Sequence, residues 1–498
     1  MSIILIILFL IFYTILAKIR LDWAVMFLIV ALPSYLIRFK VFNIPFTLLE
    51  AMILISFTVW FFSSYKEIFS NIKNKLEIEN WKLKISHRYP FDIELILLLI
   101  ISFIATAVAG FSNESMGIWK AYFFEPILFF ILIFNVFGKR LPPPPFANSG
   151  VAMTGCEKII FPLAISAFFV SALAIFQKFT GLFIFNEFWA NEETRRVVSF
   201  FGYPNAVGLY LGPISLLLTG WLFCQISKIQ DTRYKIQKNF KSQITKIIFI
   251  LFIILLSLFS IYFARSEGAL IGVVAGLIVF GLLSGRKIRI ATVVLILIFG
   301  TGIMIYQPAR DYGIKKITLK DLSGEIRKQQ WRETWDMLND GRIITGAGLA
   351  NYSNVIKPYH QEGIFFNFDD DPDFKRKIVI FDEKYKSQYW QPTEIYLYPH
   401  NIILNVWSEL GIFGLMLFIW IVVKYFWLGI FNFQFSIFKQ FPINKFLNIG
   451  LICAMIVILI HGLVDVPYFK NDLAVMFWIF IAMMGIINLN IKLCTTKN

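Results

Sequence analysis

The chain has 498 residues; 58% are hydrophobic, 17% aromatic and only 16% charged, and the mean hydropathy is +0.68. Soluble domains carry about 25% charged residues. This composition excludes a disordered chain, a disulfide scaffold, a collagen-like fibre and an ordinary soluble enzyme. The formal charge of +15 is dispersed over many short loops, a pattern that suits anionic lipid surfaces and not nucleic acid.

A bilayer core takes about 20 mostly apolar residues per helix. Runs of that kind lie near residues 2–17, 22–37, 45–62, 93–111, 122–137, 159–178, 204–226, 247–263, 268–284, 290–306, 402–423, 447–464 and 472–490. The first two are short and flank Lys18, Arg20 and Asp22. They read as a helical hairpin that crosses only in part, so the expected count is twelve or thirteen. The apolar start resembles a signal peptide, but a second apolar run follows at once without a small-residue cleavage site, so a retained helix is expected. No internal repeat of fixed period is visible. The Pro142–Pro145 run and the stretch to Gly155 read as a loop. Three parts follow: membrane helices over 1–306, a large loop over 307–401, and membrane helices over 402–498.

Lys and Arg in short loops mark the cytoplasmic side. The loops at 63–92, 139–158, 227–246, 285–289 and 424–446 hold 21 of them. The alternating loops at 111–121, 179–203, 264–267 and 465–471 hold 5. The first set is therefore expected inside, together with the C-terminus, and the second outside. The 307–401 loop falls outside; loops beyond about 60 residues cross whatever their charge. None of Cys156, Cys224, Cys453 and Cys494 then lies in an outer loop. No external disulfide and no thiol metal site are expected.

Polar groups gather at the outer face. Arg265, in Ala264-Arg265-Ser266-Glu267-Gly268, has only a few residues between two spans. An arginine at a membrane boundary is costly unless it is paired or functional; Glu267 is the bland partner, an anionic ligand the functional one. Arg195 and Arg196 lead into a span opening at Pro204, where they could simply snorkel. Together with Arg265 they make a cationic cluster at headgroup depth, and guanidinium forks suit diphosphate oxygens. His400, in Tyr398-Pro399-His400-Asn401, closes the long loop and is suited to proton transfer near neutral pH. His461 lies one turn before Asp465 and reads as its structural partner. His87 and His360 read as solvated. Glu409 lies about 13 Å further along its helix than His400 and could bond a neighbouring helix instead of reacting.

Within the large loop, Trp331, Trp335 and Leu338 recur at helical spacing and predict an amphipathic helix over 325–340 with Gly341 as its C-cap. The run Asp369-Asp370-Asp371-Pro372-Asp373 lacks the Gly and terminal Glu of an EF-hand loop and reads as a solvated loop.

Four pieces resemble the O-antigen ligase and O-antigen polymerase family of polytopic glycosyltransferases. They are the arginines leading into Ser199-Phe200-Phe201-Gly202-Tyr203-Pro204-Asn205; Arg265 between two spans; Arg327-x-x-x-Trp331 through Gly346-Ala347-Gly348-Leu349; and Pro399-His400-Asn401 with Glu409-Leu410-Gly411. His400 and Gly411 are separated by ten residues, as in ligases. The resemblance covers residues 195–490. It implies an all-α polytopic bundle, similar to type C glycosyltransferases, in the bacterial inner membrane. It implies metal-independent, inverting transfer of a glycan from undecaprenyl diphosphate to an acceptor glycolipid, glycan or protein at the outer face, without a cofactor. The family's diphosphate-binding arginines map to Arg265 and Arg196, with Arg195 as the fallback. Its essential histidine maps to His400 and a late aspartate to Asp465, with Asn401 and Glu409 in support. Ligases often place Leu four residues after the second arginine; here position 269 is Ala and Leu is 270. That leaves polymerisation of lipid-linked repeat units as the alternative reaction. A transporter of the same lipid would show repeated halves and broken helices at mid-membrane, and neither is visible.

Overall fold

The computed structural model describes residues 3–41, 44–76, 90–138, 154–230, 240–380, 383–438 and 442–495. His87 and the Pro142–Pro145 run lie outside them.

Each of the thirteen apolar runs forms a helix. The chain opens with the hairpin α1 (Ile3–Ile19) and α2 (Leu21–Val30), followed by a short antiparallel ribbon, β1 (Arg38–Val41) with β2 (Ile44–Thr47). Then come α3 (Leu48–Leu76), α4 (Asp92–Val108) and α5 (Asn113–Phe137), the last with one π-turn at Lys120–Phe124. Next are α6 (Thr154–Thr180), α7 (Pro204–Gln230), α8 (Phe240–Phe263), α9 (Glu267–Ser284) and α10 (Arg286–Ile305). The large loop carries α11 (Gln307–Ile317), α12 (Leu322–Asn339) and the pair β3 (Gly363–Phe365) with β4 (Trp390–Pro392). The chain ends with α13 (Ile402–Phe438), α14 (Pro442–Gly462) and α15 (Asn471–Thr495). Among the described residues ten helices are long and apolar enough to cross a membrane, and α1, α2 and α4 are shorter. The protein is an all-α, multi-pass membrane protein.

The core of the bundle is α7 packed along α14, with α9 against both and α15 against α5 and α13. Inside a membrane no hydrophobic force drives helices together, so close contact and small residues must do it. Gly220 on α7 and Gly450 on α14 supply that contact. A Cβ added at Gly220 would lie 2.6 Å from the Phe446 carbonyl oxygen and 2.8 Å from the Gly450 Cα. By contrast, α10 buries none of its residues fully and packs on α9 through Thr292 against Gly281, which fits a helix at the lipid-facing edge.

The loop helix α12 differs from its prediction. Its buried side is Gln329, Gln330, Glu333, Thr334, Met337 and Leu338, whereas Trp335 is half-exposed and packs edge-on against Trp407. The reason is what it packs on. Thr334 bonds the Tyr352 hydroxyl at 2.8 Å, and Glu333 takes His360 at 3.3 Å and the Gln361 amide at 3.0 Å. The buried side of α12 joins these polar contacts to Met337 and Leu338, which pack on Ala347, Tyr352 and Ile356, and His360, expected to be solvated, is half-buried by it. Gly341 ends the helix at φ +74° as expected.

Beyond α12 the chain dips back into the bundle. Ala347 donates to the Ser408 carbonyl at 2.6 Å, Leu349 to the Ala105 carbonyl at 3.1 Å, and Ala350 to Glu409 Oε2 at 2.6 Å. Gly411, at φ +71° inside α13, lets the Ile344 carbonyl approach so closely that a Cβ there would lie 2.0 Å from its oxygen. Glu409 is thus a clamp for this loop, at a distance from the histidine that opens α13.

Candidate active site

One end of the bundle collects residues from four separate stretches. The segment before α7 is extended, so the neighbours Arg195 and Arg196 point opposite ways. Arg195 turns to backbone: its Nε donates to the Ala190 carbonyl at 3.2 Å and Nη1 to the Lys178 carbonyl at 3.0 Å, with the guanidinium covering Gly181. Arg196 turns to the α8–α9 connection, where Nε donates to the Ala264 carbonyl at 3.0 Å and Nη2 to the Arg265 carbonyl at 3.4 Å. Nη2 also reaches Asn205 Oδ1 at 3.2 Å.

Asn205, in the first turn of α7, is the bridge that sequence reasoning passed over. Its other amide atom, Nδ2, donates to Asp465 Oδ2 at 3.2 Å. Asp465 Oδ1 in turn accepts the Val466 amide at 2.8 Å and stands 3.8 Å from His400 Nδ1. That last distance is an ion-pair separation, longer than a hydrogen bond; such contacts commonly tighten when substrate binds. Asp465 is buried, which raises its carboxyl, but the His400 and His461 imidazoles beside it outweigh burial and hold it at about 2. A carboxylate on Nδ1 leaves Nε2 of His400 as the free ring nitrogen. Tyr396 and Tyr398 pack edge-on against the imidazole, at 5.1 and 4.8 Å between centroids.

Asn401 caps α13: its Oδ1 accepts the Ile403 and Leu404 amides at 3.0 and 3.1 Å, and Nδ2 donates to the Leu463 carbonyl at 3.1 Å. Capping fixes where the helix starts, and so fixes His400 one residue earlier. His400 and Arg265 both sit in the left-handed backbone region, at φ +46° and +52°. Non-glycine residues there are uncommon and cluster at functional sites.

Arg265 is not paired with Glu267. Glu267 bonds Lys316 at 2.7 Å and the Tyr312 hydroxyl at 2.9 Å on α11. Among the described residues the Arg265 guanidinium is exposed and makes no hydrogen bond or ion pair. Burial first, then the nearby Arg265 and Arg327 charges, pull Arg196 below its usual value, with Glu267 opposing. Like charges are therefore gathered here. His461 is buried against Gly268, where an added Cβ would lie 2.7 Å from its ring; it packs α14 against α9, while His400 takes the ion pair with Asp465. Of the sequence-derived candidates, Arg196, Arg265, Asp465, Asn401 and His400 come together, and Arg195 and Glu409 serve neighbouring loops. The acidic run ties up its own loop, with Asp369 on the Tyr389 hydroxyl at 2.6 Å and Asp370 on Lys315 at 3.5 Å.

No curated protein matches the chain. Residues 252–419 match the sequence model of a family described as O-antigen ligase. The matched stretch runs from α8 through the large loop into α13, and contains Arg265 and His400. The chain thus carries, on a multi-pass membrane bundle, a stretch similar to the O-antigen ligase family.

Proposed function

We propose that the protein is a membrane glycosyltransferase of the bacterial inner membrane. It transfers a glycan from undecaprenyl diphosphate to an acceptor hydroxyl on a glycolipid, glycan or protein at the outer face. A glycan-ligase type of function follows from the family match; the donor, the direction and the chemistry are our reading. The observation that carries it is the chain of contacts Arg196–Asn205–Asp465–His400, which links guanidinium to imidazole through the first turn of α7, the α14–α15 connection and the start of α13.

In this reading Arg196 and Arg265 hold the two phosphates. The acceptor oxygen attacks the anomeric carbon as the bond from that carbon to the phosphate oxygen breaks. The bonding electrons leave with the diphosphate, where the guanidiniums meet the growing charge; such stabilisation is often the largest catalytic contribution. The acceptor proton passes to His400 Nε2, with Asp465 steadying the imidazolium. A single displacement inverts the anomeric centre and needs no metal.

The test uses purified protein with carrier-linked glycan as donor, and with undecaprenyl diphosphate as a binding probe. His400→Ala should keep binding of the probe and lose transfer by about 10²–10⁴-fold. Arg265→Ala should weaken binding and transfer together. Wild-type activity in both variants would overturn the assignment. A ladder of products in place of a single addition would identify the polymerase reaction.

A further inference from the structure

We propose that the seam between α2, α6, α7 and α8 holds an anionic glycerophospholipid, its phosphodiester between Lys158 and Lys246, in the leaflet opposite the candidate active site. This lipid site is independent of the reaction assigned to the arginines and His400.

The course of the helices fixes the place. From Asn205, at the active site, α7 runs sixteen residues to Trp221, about 24 Å further along. The end of α6 lies beside Arg195 and the end of α8 beside Arg265, so both helices begin at the far end. Near those beginnings Phe161 of α6 and Phe249 of α8 pack with 6.3 Å between ring centroids. Lys158 and Lys246 each lie three residues earlier, one turn nearer the helix start and on the same face. Two ammonium groups therefore stand abreast over an apolar floor. Beside them is a cavity of about 270 Å³, walled by Met26, Phe161, Trp221 and Phe249 and edged by Glu157, Lys158 and Lys246. Phe161 is 43% exposed on the outside of the bundle, so the cavity opens toward lipid.

The charges at its edge do not cancel. Glu157 is taken by Lys228 at 2.9 Å and by Gln225 at 3.3 Å. Asp22 is shared by Arg20 and Lys158, each at 3.2 Å. Among the described residues Lys246 makes no hydrogen bond or ion pair. Arg20, Lys158, Lys228 and Lys246 thus face only Asp22 and Glu157, which leaves two positive charges over. A lone lysine at a membrane boundary snorkels into water. A pair above an apolar cleft matches a phosphate with acyl chains beneath it.

Trp221 is the second, independent observation. It is 4% exposed, and its indole N–H has no acceptor among the described residues. Buried indole N–H groups usually find one. Trp221 precedes Lys228 by seven residues, about 10 Å along α7. That is deeper than the lysines, where a glycerophospholipid carries its ester carbonyls. A free phosphate offers no oxygen at that depth, and a chain without a headgroup leaves the lysines unmet.

The experiment uses the full chain in nanodiscs of phosphatidylcholine with or without phosphatidylglycerol. Lipid retained after transfer to detergent is counted by native mass spectrometry, and the melting temperature is followed beside it. Wild type should retain one phosphatidylglycerol in preference to phosphatidylcholine and melt higher as its fraction rises. Lys246→Ala should cut the preference about fivefold, the effect of one lysine near an anionic headgroup. Lys246→Arg should keep the preference and Lys246→Glu abolish it. Lys287→Ala, which removes an exposed lysine at the start of α10, should leave it unchanged. Trp221→Phe removes the N–H and should weaken retention of both lipids alike, because both carry esters. Retention by wild type in proportion to lipid fraction would overturn the site. So would an unchanged preference in both Lys246→Ala and Lys246→Glu, or an equal fall in Lys287→Ala. The same rise in melting temperature with inorganic phosphate alone would make it a site for soluble anions and overturn the lipid. A melting temperature of Lys246→Ala already lowered in pure phosphatidylcholine would make Lys246 a packing residue and end the assignment.

Discussion

Arg195 and Arg196 are chemically identical neighbours, and the extended backbone between them decides their fates. Arg195 holds two backbone carbonyls and Arg196 faces the cationic cluster. Arg195→Ala should lower the melting temperature by a few degrees and leave undecaprenyl diphosphate binding unchanged; Arg196→Ala should weaken binding at least tenfold. Equal loss of binding in both would contradict this division. Sequence could mark both but could not choose, since the choice depends on which way one peptide faces. Asn205 escaped notice for a related reason. An asparagine in a first helical turn reads as a local cap, and its role as a bridge to Asp465 needs α14 and α15 to be in place. Asp465 also sets a pH expectation. Its carboxyl falls from about 3.9 when unfolded to about 2 in the folded protein. Its stabilising contribution is thus complete above about pH 4 and is lost as pH falls toward 2. Any change in transfer rate between pH 5 and 8 therefore belongs to another group, and Asp465→Asn should lower the rate across that whole range.

At the scale of elements, apolar runs were fully legible because a bilayer demands long uninterrupted stretches, and all thirteen became helices. The face of α12 was not legible. Helical spacing of Trp331, Trp335 and Leu338 identifies a stripe, but the helix buries whichever side matches its neighbours, and those are Tyr352, His360 and Gln361. Trp331 still does one specific thing, which is to latch onto Pro399. Replacing it by Phe should leave the helix folded, free α12 from the start of α13, and reduce transfer more than undecaprenyl diphosphate binding. The contacts between helices were equally hidden. Glycines are spread through the spans, and only the structure shows that Gly220 meets Gly450. Gly220→Leu should unseat α7 from α14 and lower the melting temperature markedly, because the nearest neighbours of a Cβ there are backbone atoms that cannot rotate away. A melting temperature within a degree of wild type would contradict that packing.

For the molecule as a whole, the candidate site gathers at one end of the bundle. The cationic cluster, the large loop and the starts of α7 and α13 share that end, and the match to the O-antigen ligase family runs through it. We propose, from the positive charge in the short loops, that this end faces outside. A single cysteine at Leu463, which is half-exposed beside Asn401, placed in a background lacking Cys156, Cys224, Cys453 and Cys494, should react with a membrane-impermeant maleimide added to intact cells. Labelling only after the membrane is opened would turn the bundle over. The fold class and the families of residues at the site were readable because each obeys a local rule: apolar length, arginine at a boundary, histidine beside a helix start. The partition among those residues was not, because it is set by contacts between separate stretches of the chain, such as Arg196 with Ala264 and Asn205 with Asp465.

The most direct measurement is the structure of the protein in nanodiscs with undecaprenyl diphosphate bound. The account expects the two phosphates between Arg196 and Arg265, with His400 Nε2 facing the space where the sugar was attached. Density for the diphosphate elsewhere in the bundle, or at this end but out of reach of the arginines, would contradict it.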